Sequence, residues 1–506
     1  MIVGFSEQVY KELAAVVGER NISRKDFILA GNRAKTPEVP VAHPSAEAIV
    51  LPGSTEEVAE IVRICNRHDV LYVAMVTGCI PTAYATQKDT IIIHLKRMNR
   101  IVEINEKDRY ALIEPGVRHV QLYPEVRKLG LSYAAPAVGP GGSALVTYAC
   151  TGGDNHVQYG TSRPTRYLLG VEMVTPEGEI LRIGSLQTDS GWFCPESPGP
   201  SLRGIVKGFS GNSGKTGIVT KCAIALDMCK GPAEIRREGI SPHHKMIMDS
   251  DCSRVYVFNY KDIHDVGKAI LALGESEVAA TVQKYFYLPL SLMMTDSANE
   301  FWDKWGTFKE TFPMPLVVHL ATQSVRELAY EEKILFDVVN ETNGTRIPRE
   351  YEKWWEEHMD YFMIVCRLQS VLRLGGSWLP IKTGAESVRH MCDLGESIGS
   401  YIHDFTDTGR IFDAPQNFQI IPMEYGHFAS FELLFMWDRF DPDGFKNMRD
   451  FCAVASETDL KNHVHSSTPV GFGKAGEKMG SLYSDAHLWM EKIVEAYNPR
   501  LAERSK

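Results

Sequence analysis

A glycine-rich stretch at residues 139–170 constrains the fold of this chain more than any other segment. Gly141 and Gly152 each begin a glycine pair among many small residues, and two strands that turn at residues 176–178 follow at once. A backbone with almost no side-chain bulk can approach a large, flat ligand closely, and glycine also tolerates the positive φ angles of tight turns. The stretch therefore predicts a cofactor cradle.

Length and composition favour a cytoplasmic enzyme. A chain of 506 residues with 44% apolar content exceeds one ordinary core, so we expect two domains of roughly 100 to 250 residues. Its apolar runs are far shorter than the ~20 residues that a bilayer requires, and the charged N-terminal pattern is unlike a secretory signal. The ten cysteines include no C-x-x-C pair, which argues against an iron–sulfur cluster or a clustered zinc site. The net charge of −10 includes no long basic tract, so nucleic acid is not an expected partner.

Local patterns predict alternating helices and strands in the first half of the chain. Apolar spacing predicts a helix at about residues 6–18. A capping box, in which Ser54 accepts from the Glu57 amide and Glu57 reaches back, opens a second helix. Strands are expected at residues 71–76 and 90–95, so this half is expected to be α+β. From about residue 229 the sequence becomes richer in polar and aromatic segments, which suits either a domain covering an organic ligand or an ordinary aromatic core.

Five segments occur in the order typical of one flavoprotein superfamily. They are IVLPGSTEEVAEIVRICNRHDV, IIIHLKRMNRIVEI, RYALIEPGV, the glycine-rich stretch continuing through VEMVTPEGEILRIGS, and GPSLRGIVKGFSGNSGKTGIVTK. With these segments, residues 43–228 resemble the FAD-binding domain of the vanillyl-alcohol oxidase and p-cresol methylhydroxylase superfamily, which includes D-lactate and glycolate dehydrogenases. The resemblance implies FAD as cofactor.

The resemblance also implies a domain order. An N-terminal helix and connector (1–42) would precede a two-subdomain FAD-binding domain (43–228). An α+β cap domain (229–450) would cover the flavin, and a C-terminal segment (451–506) would pack back on the FAD-binding domain. The expected fold class is α+β.

Two loops and one strand start are the expected cofactor contacts. Backbone N–H groups of small residues can hold a pyrophosphate without lysines. The first loop departs from the family pattern, because only one glycine remains where relatives carry several. The expected contacts are Thr77, Gly78, Cys79, Ile80, Pro81 and Thr82 in the first loop, Gly141, Gly142, Ser143, Cys150, Gly152, Gly153 and Tyr159 in the second, and Gly217, Ile218 and Val219 at the strand start.

Catalytic candidates come from position and from side-chain chemistry. His427, His463 and His465 are candidate bases because histidine titrates near neutral pH, and Tyr84 stands where the phenol-oxidising branch holds its phenolate. With Glu432, the three histidines could also form a divalent-metal site, although no metal is our expectation. Asp154 lies close in sequence to the position where that branch places a carboxylate near the flavin.

The implied function is an FAD-dependent dehydrogenase acting on CH–OH or adjacent CH groups. A small hydroxylated substrate, either a 2-hydroxy acid or an aryl alcohol or phenol, would give a hydride to flavin N5. Without an NAD fingerprint or an iron–sulfur motif in the chain, we expect a partner acceptor, an electron-transfer flavoprotein or an iron–sulfur subunit, and an oligomeric enzyme. The alternatives are a flavin-poor scaffold subunit of a redox complex and a non-redox flavoenzyme of the same superfamily.

Overall fold

Helices and short strands alternate in the first half of the chain, and one wide antiparallel sheet dominates the second half. The computed structural model describes residues 4–32, 45–78, 87–136, 141–151, 153–194, 201–207, 215–231, 236–240, 244–247, 251–358, 381–412, 418–438, 440–462, 480 and 485–500. The helices are α1 Glu7–Val17, α2 Asp26–Gly31, α3 Thr55–Arg67, α4 His119–Arg127, α5 Ala144–Val146, α6 Leu202–Val206, α7 Ile263–Glu275, α8 Tyr287–Met293, α9 Ala298–Thr311, α10 Val325–Glu341, α11 Arg349–His358, α12 Val388–Thr406, α13 Gly444–Lys461 and α14 Ala486–Tyr497.

The strands form two sheets in the first half and a third in the second, besides short two-stranded pairs. They are β1 Ile22–Ser23, β2 Ala48–Val50, β3 Leu71–Met75, β4 Thr90–His94, β5 Ile101–Asn105, β6 Tyr110–Ile113, β7 Leu131–Ser132, β8 Leu168–Val174, β9 Ile180–Ile183, β10 Ile218–Ala225, β11 Asp227–Met228, β12 Arg236–Glu238, β13 Lys245–Ile247, β14 Ser253–Asn259, β15 Thr281–Lys284, β16 Pro315–Ala321, β17 Thr345–Arg346, β18 Ile381–Glu386, β19 Phe418–Met423 and β20 Phe428–Leu434.

Helix α3 shows how the local sequence builds the first sheet. Ser54 Oγ accepts the N–H of Glu57, and the Glu57 carboxylate accepts the N–H of Gly53. The apolar side of α3 is buried, with Val58 and Ile61 fully inaccessible, because its side chains recur at helical spacing. Strands β2, β3 and β4 are parallel, with β4 between the other two, in the order β1-β2-β4-β3. This arrangement is a parallel crossover unit through α3.

The other two sheets are antiparallel. The second has the order β5-β6-β10-β8-β9, and Val174 of β8 and Ile218 of β10 share a core cluster with the first sheet. The third has the order β17-β14-β16-β15-β19-β20-β18, and helices α7, α10 and α12 pack on it. Mixed helices and strands arranged in this way confirm the predicted α+β class. Among the described residues, no helix combines the length and the apolar character that crossing a bilayer requires.

The C-terminal helices contact both halves of the chain. Helix α13 packs on α12 of the second half, and the predicted boundary at residue 450 falls inside this helix. Beyond α14, Asn498 donates to the carbonyl of Lys215, and Arg500 pairs with Asp69 just after α3. The last described residues therefore lie against the first half of the chain. The predicted domain boundaries stay predictions.

Candidate functional site

Two of the predicted cradle glycines border open space. A Cβ added at Gly141 would meet no described atom within 4 Å, and one added at Gly78 would come no closer than 3.9 Å to Met75. Gly78 also has a φ of +63°, which side chains with a Cβ rarely adopt. Thr77 beside it is exposed. The backbone at these positions is open to a ligand.

Gly153 and Gly217 have packing reasons of their own. A Cβ at Gly153 would lie 2.8 Å from Thr147 Cγ2. At Gly217, where φ is +143°, a Cβ would lie 2.6 Å from the carbonyl oxygen of Val174 in β8. Close approach of β10 to β8 is thus sufficient to explain Gly217, and its cofactor role stays a prediction. Ile218 and Val219, which follow it, are buried in β10.

The segment that follows Gly142 is helical. Ser143 caps α5 by accepting the N–H of Val146, and its hydroxyl donates to the carbonyl of Pro115. Residues 147–151 then form a π-helical turn that contains Cys150. Burial raises the pKa of the Cys150 thiol to about 12, so this thiol is neutral and is not a nucleophile at neutral pH.

The loop after the second glycine pair joins the two halves of the molecule. The Tyr159 N–H donates to the carbonyl of Ala280, and its hydroxyl donates to the carbonyl of Ile270 at 2.6 Å. Gln283 Nε2 donates to the carbonyl of His156 at 2.8 Å. The predicted cofactor residue Tyr159 therefore lies at the contact between this loop and the wide sheet.

His156 is buried with an unsatisfied ring. Its exposure is 2%, and within the described part of the chain neither ring nitrogen has a hydrogen-bond partner. Burial lowers the pKa of His156 to about 4, so the imidazole is neutral and offers one donor and one acceptor. Buried polar atoms normally have partners, so this ring is suited to meet a bound molecule.

A pair of carboxyl groups lies where this loop meets β20. Asp154 accepts hydrogen bonds from Ser430 Oγ and from Arg163, the latter at 3.0 Å. Glu432 interacts with Asp154. Burial and the adjacent charge of Asp154 raise the pKa of Glu432 to about 8. Glu432 consequently keeps its proton at neutral pH, beside a carboxylate that Arg163 and Ser430 hold in place.

Gln419 and Gln283 of the wide sheet form a polar row beside this pair of carboxyl groups. Gln419 stands directly opposite Glu432 in the β19–β20 register, so the two side chains share one face of the sheet. Gln419 Nε2 donates to Gln283 Oε1 at 2.8 Å, and Gln283 in turn reaches the loop at His156. The row therefore connects the His156 backbone with the strand that carries Glu432. Such fixed amides can orient a polar substrate.

His427 is placed apart from this pair. It is exposed, in the turn that joins β19 to β20. At about 3.3 Å per strand residue, its backbone lies about 16 Å from that of Glu432. Its predicted role as a base stays a prediction. The remaining predicted site residues, Tyr84, Cys79, Ile80, Pro81, Thr82, Gly152, His463 and His465, lie outside the described residues.

The structure shows no metal-binding constellation in the part of the chain that it describes. Within that part, no group of three or more His, Cys, Asp or Glu side chains is arranged to hold an ion. Glu432 is instead paired with Asp154 and Arg163. The proposed four-residue metal set includes His463 and His465, which lie beyond the described ranges.

Comparison with known proteins bears on the first half of the chain. Residues 46–184 match the model of a family described as FAD binding domain. The chain contains an FAD binding domain. This domain holds the open glycine positions and the unsatisfied His156, and both features fit a bound flavin nucleotide. FAD, predicted from the sequence, is thereby confirmed as the cofactor of this domain.

Relatives of known name match over the same part. The 4-cresol dehydrogenase [hydroxylating] flavoprotein subunit of Pseudomonas putida is 30% identical over 192 residues, which is 36% of this chain and 35% of the relative. D-2-hydroxyglutarate dehydrogenase of Stutzerimonas stutzeri is 32% identical over 188 residues, 36% of this chain and 38% of the relative. The chain thus aligns with less than two fifths of the length of either relative.

The likeness in fold extends over the whole chain. The crystal structure of p-cresol methylhydroxylase with substrate bound superposes with a TM-score of 0.72, covering 98% of this chain and 96% of the other at 16% identity. At that identity the likeness concerns the fold alone. The predicted resemblance to this superfamily is confirmed for the FAD binding domain and for the fold.

Proposed function

We propose that this protein is an FAD-dependent dehydrogenase that oxidises a small hydroxylated substrate at a CH–OH or adjacent CH group. The observation that carries the proposal is the carboxyl pair Asp154–Glu432, which lies where the FAD binding domain meets the wide sheet. Removal of a hydride from an alcohol carbon also requires removal of the hydroxyl proton, and a carboxyl group with a raised pKa is suited to take it near neutral pH.

Each member of the site has a distinct part in this proposal. A bound FAD would supply the acceptor for the hydride of the substrate carbon. The ionised Glu432 carboxylate accepts the hydroxyl proton, and the charge of Asp154 keeps that carboxylate basic. Arg163 and Ser430 hold the Asp154 carboxylate in place through their hydrogen bonds. Gln419, opposite Glu432, orients the substrate oxygen.

Both substrate classes inferred from the sequence remain part of the proposal. One relative is by its name a 4-cresol dehydrogenase and the other acts on D-2-hydroxyglutarate. The first is also by name a flavoprotein subunit, which supports a protein electron acceptor, either an electron-transfer flavoprotein or an iron–sulfur subunit. We extend the proposal to an oligomeric, cytoplasmic enzyme.

A visible spectrum of the purified protein is the first test. Flavin bands that are released into the supernatant by acid precipitation would support non-covalent FAD. The protein would then be assayed with aryl alcohols, phenols and 2-hydroxy acids, using a dye as electron acceptor. Absence of flavin bands after reconstitution with FAD would refute the dehydrogenase and favour the scaffold subunit. Flavin bands without turnover of any substrate class would favour a non-redox flavoenzyme.

Two variants separate the rival bases. Glu432→Gln keeps the shape of the side chain and can still donate to Asp154, but it cannot accept a proton from the substrate. We expect it to lower kcat by about 100-fold or more, the usual contribution of a general base, while flavin content stays unchanged. His427→Gln is the matched control. The opposite ranking would assign the base to His427, one of the three histidines that the sequence offered as candidates.

A further inference from the structure

A buried histidine, His119, connects the start of helix α4 with the second predicted cofactor loop. Its side chain is 1% exposed. Nδ1 lies 3.1 Å from the hydroxyl of Tyr133, which follows β7, and Nε2 lies 3.0 Å from Oγ1 of Thr147 in the π-helical turn. The backbone N–H of His119 donates to the carbonyl of Gly142 at 3.1 Å. One residue therefore holds two points of the same loop.

The direction of each hydrogen bond in this group is fixed by its neighbours. The Thr147 hydroxyl donates its single proton to the carbonyl of Ser143 at 2.9 Å, so its oxygen can only accept from His119. Nε2 of His119 is thus the protonated ring nitrogen, and Nδ1 accepts the proton of the Tyr133 hydroxyl. Burial lowers the pKa of His119 to about 3, so the ring is neutral at neutral pH and keeps this arrangement. A buried network in which every group is satisfied makes the segments that it joins rigid.

Thr147 connects the two glycine pairs of the loop. Its hydroxyl is held by His119. A Cβ added at Gly153 would lie 2.8 Å from Thr147 Cγ2, so Gly153 packs directly against the methyl group of this threonine. The first glycine pair is held by the bond between the His119 N–H and the carbonyl of Gly142. His119 therefore fixes one pair directly and contacts the other through Thr147.

The glycine pair held in this way keeps backbone donors for a ligand. Within the described part of the chain, the N–H groups of Gly141, Gly142 and Ser143 donate to no protein acceptor. Successive N–H groups of small residues can hold an anionic ligand when the loop keeps one conformation. We propose that His119 is a positioning residue for flavin binding, whose hydrogen bonds hold this loop in the conformation that receives FAD. The inference rests on the cofactor role predicted for the loop and not on the proposed dehydrogenase activity.

The rate of FAD release from the full, FAD-loaded chain tests this role, followed by the rise in flavin fluorescence after dilution. We expect about 10-fold faster release from His119→Leu and from Thr147→Val, because each leaves a buried polar partner unsatisfied and loosens the loop. His119→Gln should restore the rate to within about 2-fold of the parent, since its amide again offers one donor and one acceptor. Amide hydrogen exchange of residues 141–147 should quicken in the same two variants, and it can be followed even if the flavin is covalently bound.

Thr342→Val is the matched control. Thr342, at the end of α10, is buried like Thr147, donates to the carbonyl of Val338 at 2.7 Å and lies 3.1 Å from the hydroxyl of Tyr260. This variant should lower the melting temperature to an extent similar to Thr147→Val but keep the FAD release and loop exchange of the parent. Release and exchange that stay unchanged in His119→Leu and Thr147→Val, no rescue by His119→Gln, or an equal effect of Thr342→Val would overturn the proposal. No readout requires turnover, so a failure of the proposed dehydrogenase activity is distinguished from a failure of this inference.

Discussion

Replacement of Glu432 by glutamine should make the stability of the folded protein less dependent on pH. Burial and the charge of Asp154 raise the pKa of Glu432 from 4.5 to about 8. The folded state therefore keeps a proton that the unfolded state releases above pH 4.5, and stability falls as pH rises from about 4.5 through 8. This difference in ionisation lowers the free energy of unfolding by about 3 kcal/mol at pH 7 and by about 5 kcal/mol well above pH 8. Glutamine carries no such cost and can still donate to Asp154.

The assay is urea unfolding of the FAD-loaded parent and variant at pH 5 and at pH 8.5. We expect the free energy of unfolding of Glu432→Gln, relative to that of the parent, to rise by about 3 to 4 kcal/mol from pH 5 to pH 8.5, since only the parent is destabilised as pH rises. Glu310→Gln, at an exposed position of α9, is the matched control. Its free energy of unfolding should follow that of the parent at both pH values. A difference between parent and Glu432→Gln that stays constant from pH 5 to 8.5 would refute a protonated Glu432 in the folded protein.

Three further predictions follow from individual contacts. Gly274→Ala should lower the free energy of unfolding by about 3 kcal/mol or more in a urea titration, since the new Cβ would lie 1.7 Å from the carbonyl oxygen of Tyr425. Gly399→Ala is the control, because no described atom lies within 4 Å of its new Cβ. It should be neutral or stabilising by up to about 1 kcal/mol in the same titration. Ser54→Ala should cost about 1 kcal/mol by removing the cap of α3, measured in the same way. The pH profile of kcat/KM should rise through a pKa near that of Glu432, about 8, and Glu432→Gln should lose this rise.

The first half of the chain was predictable because its signals are local. The capping box placed the start of α3 correctly, and the strand predicted at residues 90–95 is observed at Thr90–His94. Helix α4 ends at Arg127, three residues before Gly130. Gly130 has a φ of +69° and lies in the turn before β7. Periodicity identifies an element, whereas its last turn depends on which backbone conformation the next connection requires.

The candidate site was less predictable because its parts meet only through long-range contacts. The sequence offered Asp154 and Glu432 as separate carboxylates, one near a flavin and one in a metal set. Ser430, which brings β20 to Asp154, is 276 positions away from it in the chain. The side of a strand that faces a loop is fixed by register, and register here depends on how the β19–β20 turn docks.

The β19–β20 turn is strained, and docking offsets the strain. Glu424 and Tyr425 both have positive φ values, 51° and 54°, a conformation that costs non-glycine residues about 1 to 3 kcal/mol each. Their N–H groups donate to the carbonyls of Thr161 and Tyr159 in the loop of the FAD binding domain. Because that loop also carries Asp154, the same docking that holds the turn sets the distance between the two carboxyl groups. The raised pKa of Glu432 is therefore a property of the assembled halves, which no local sequence pattern contains.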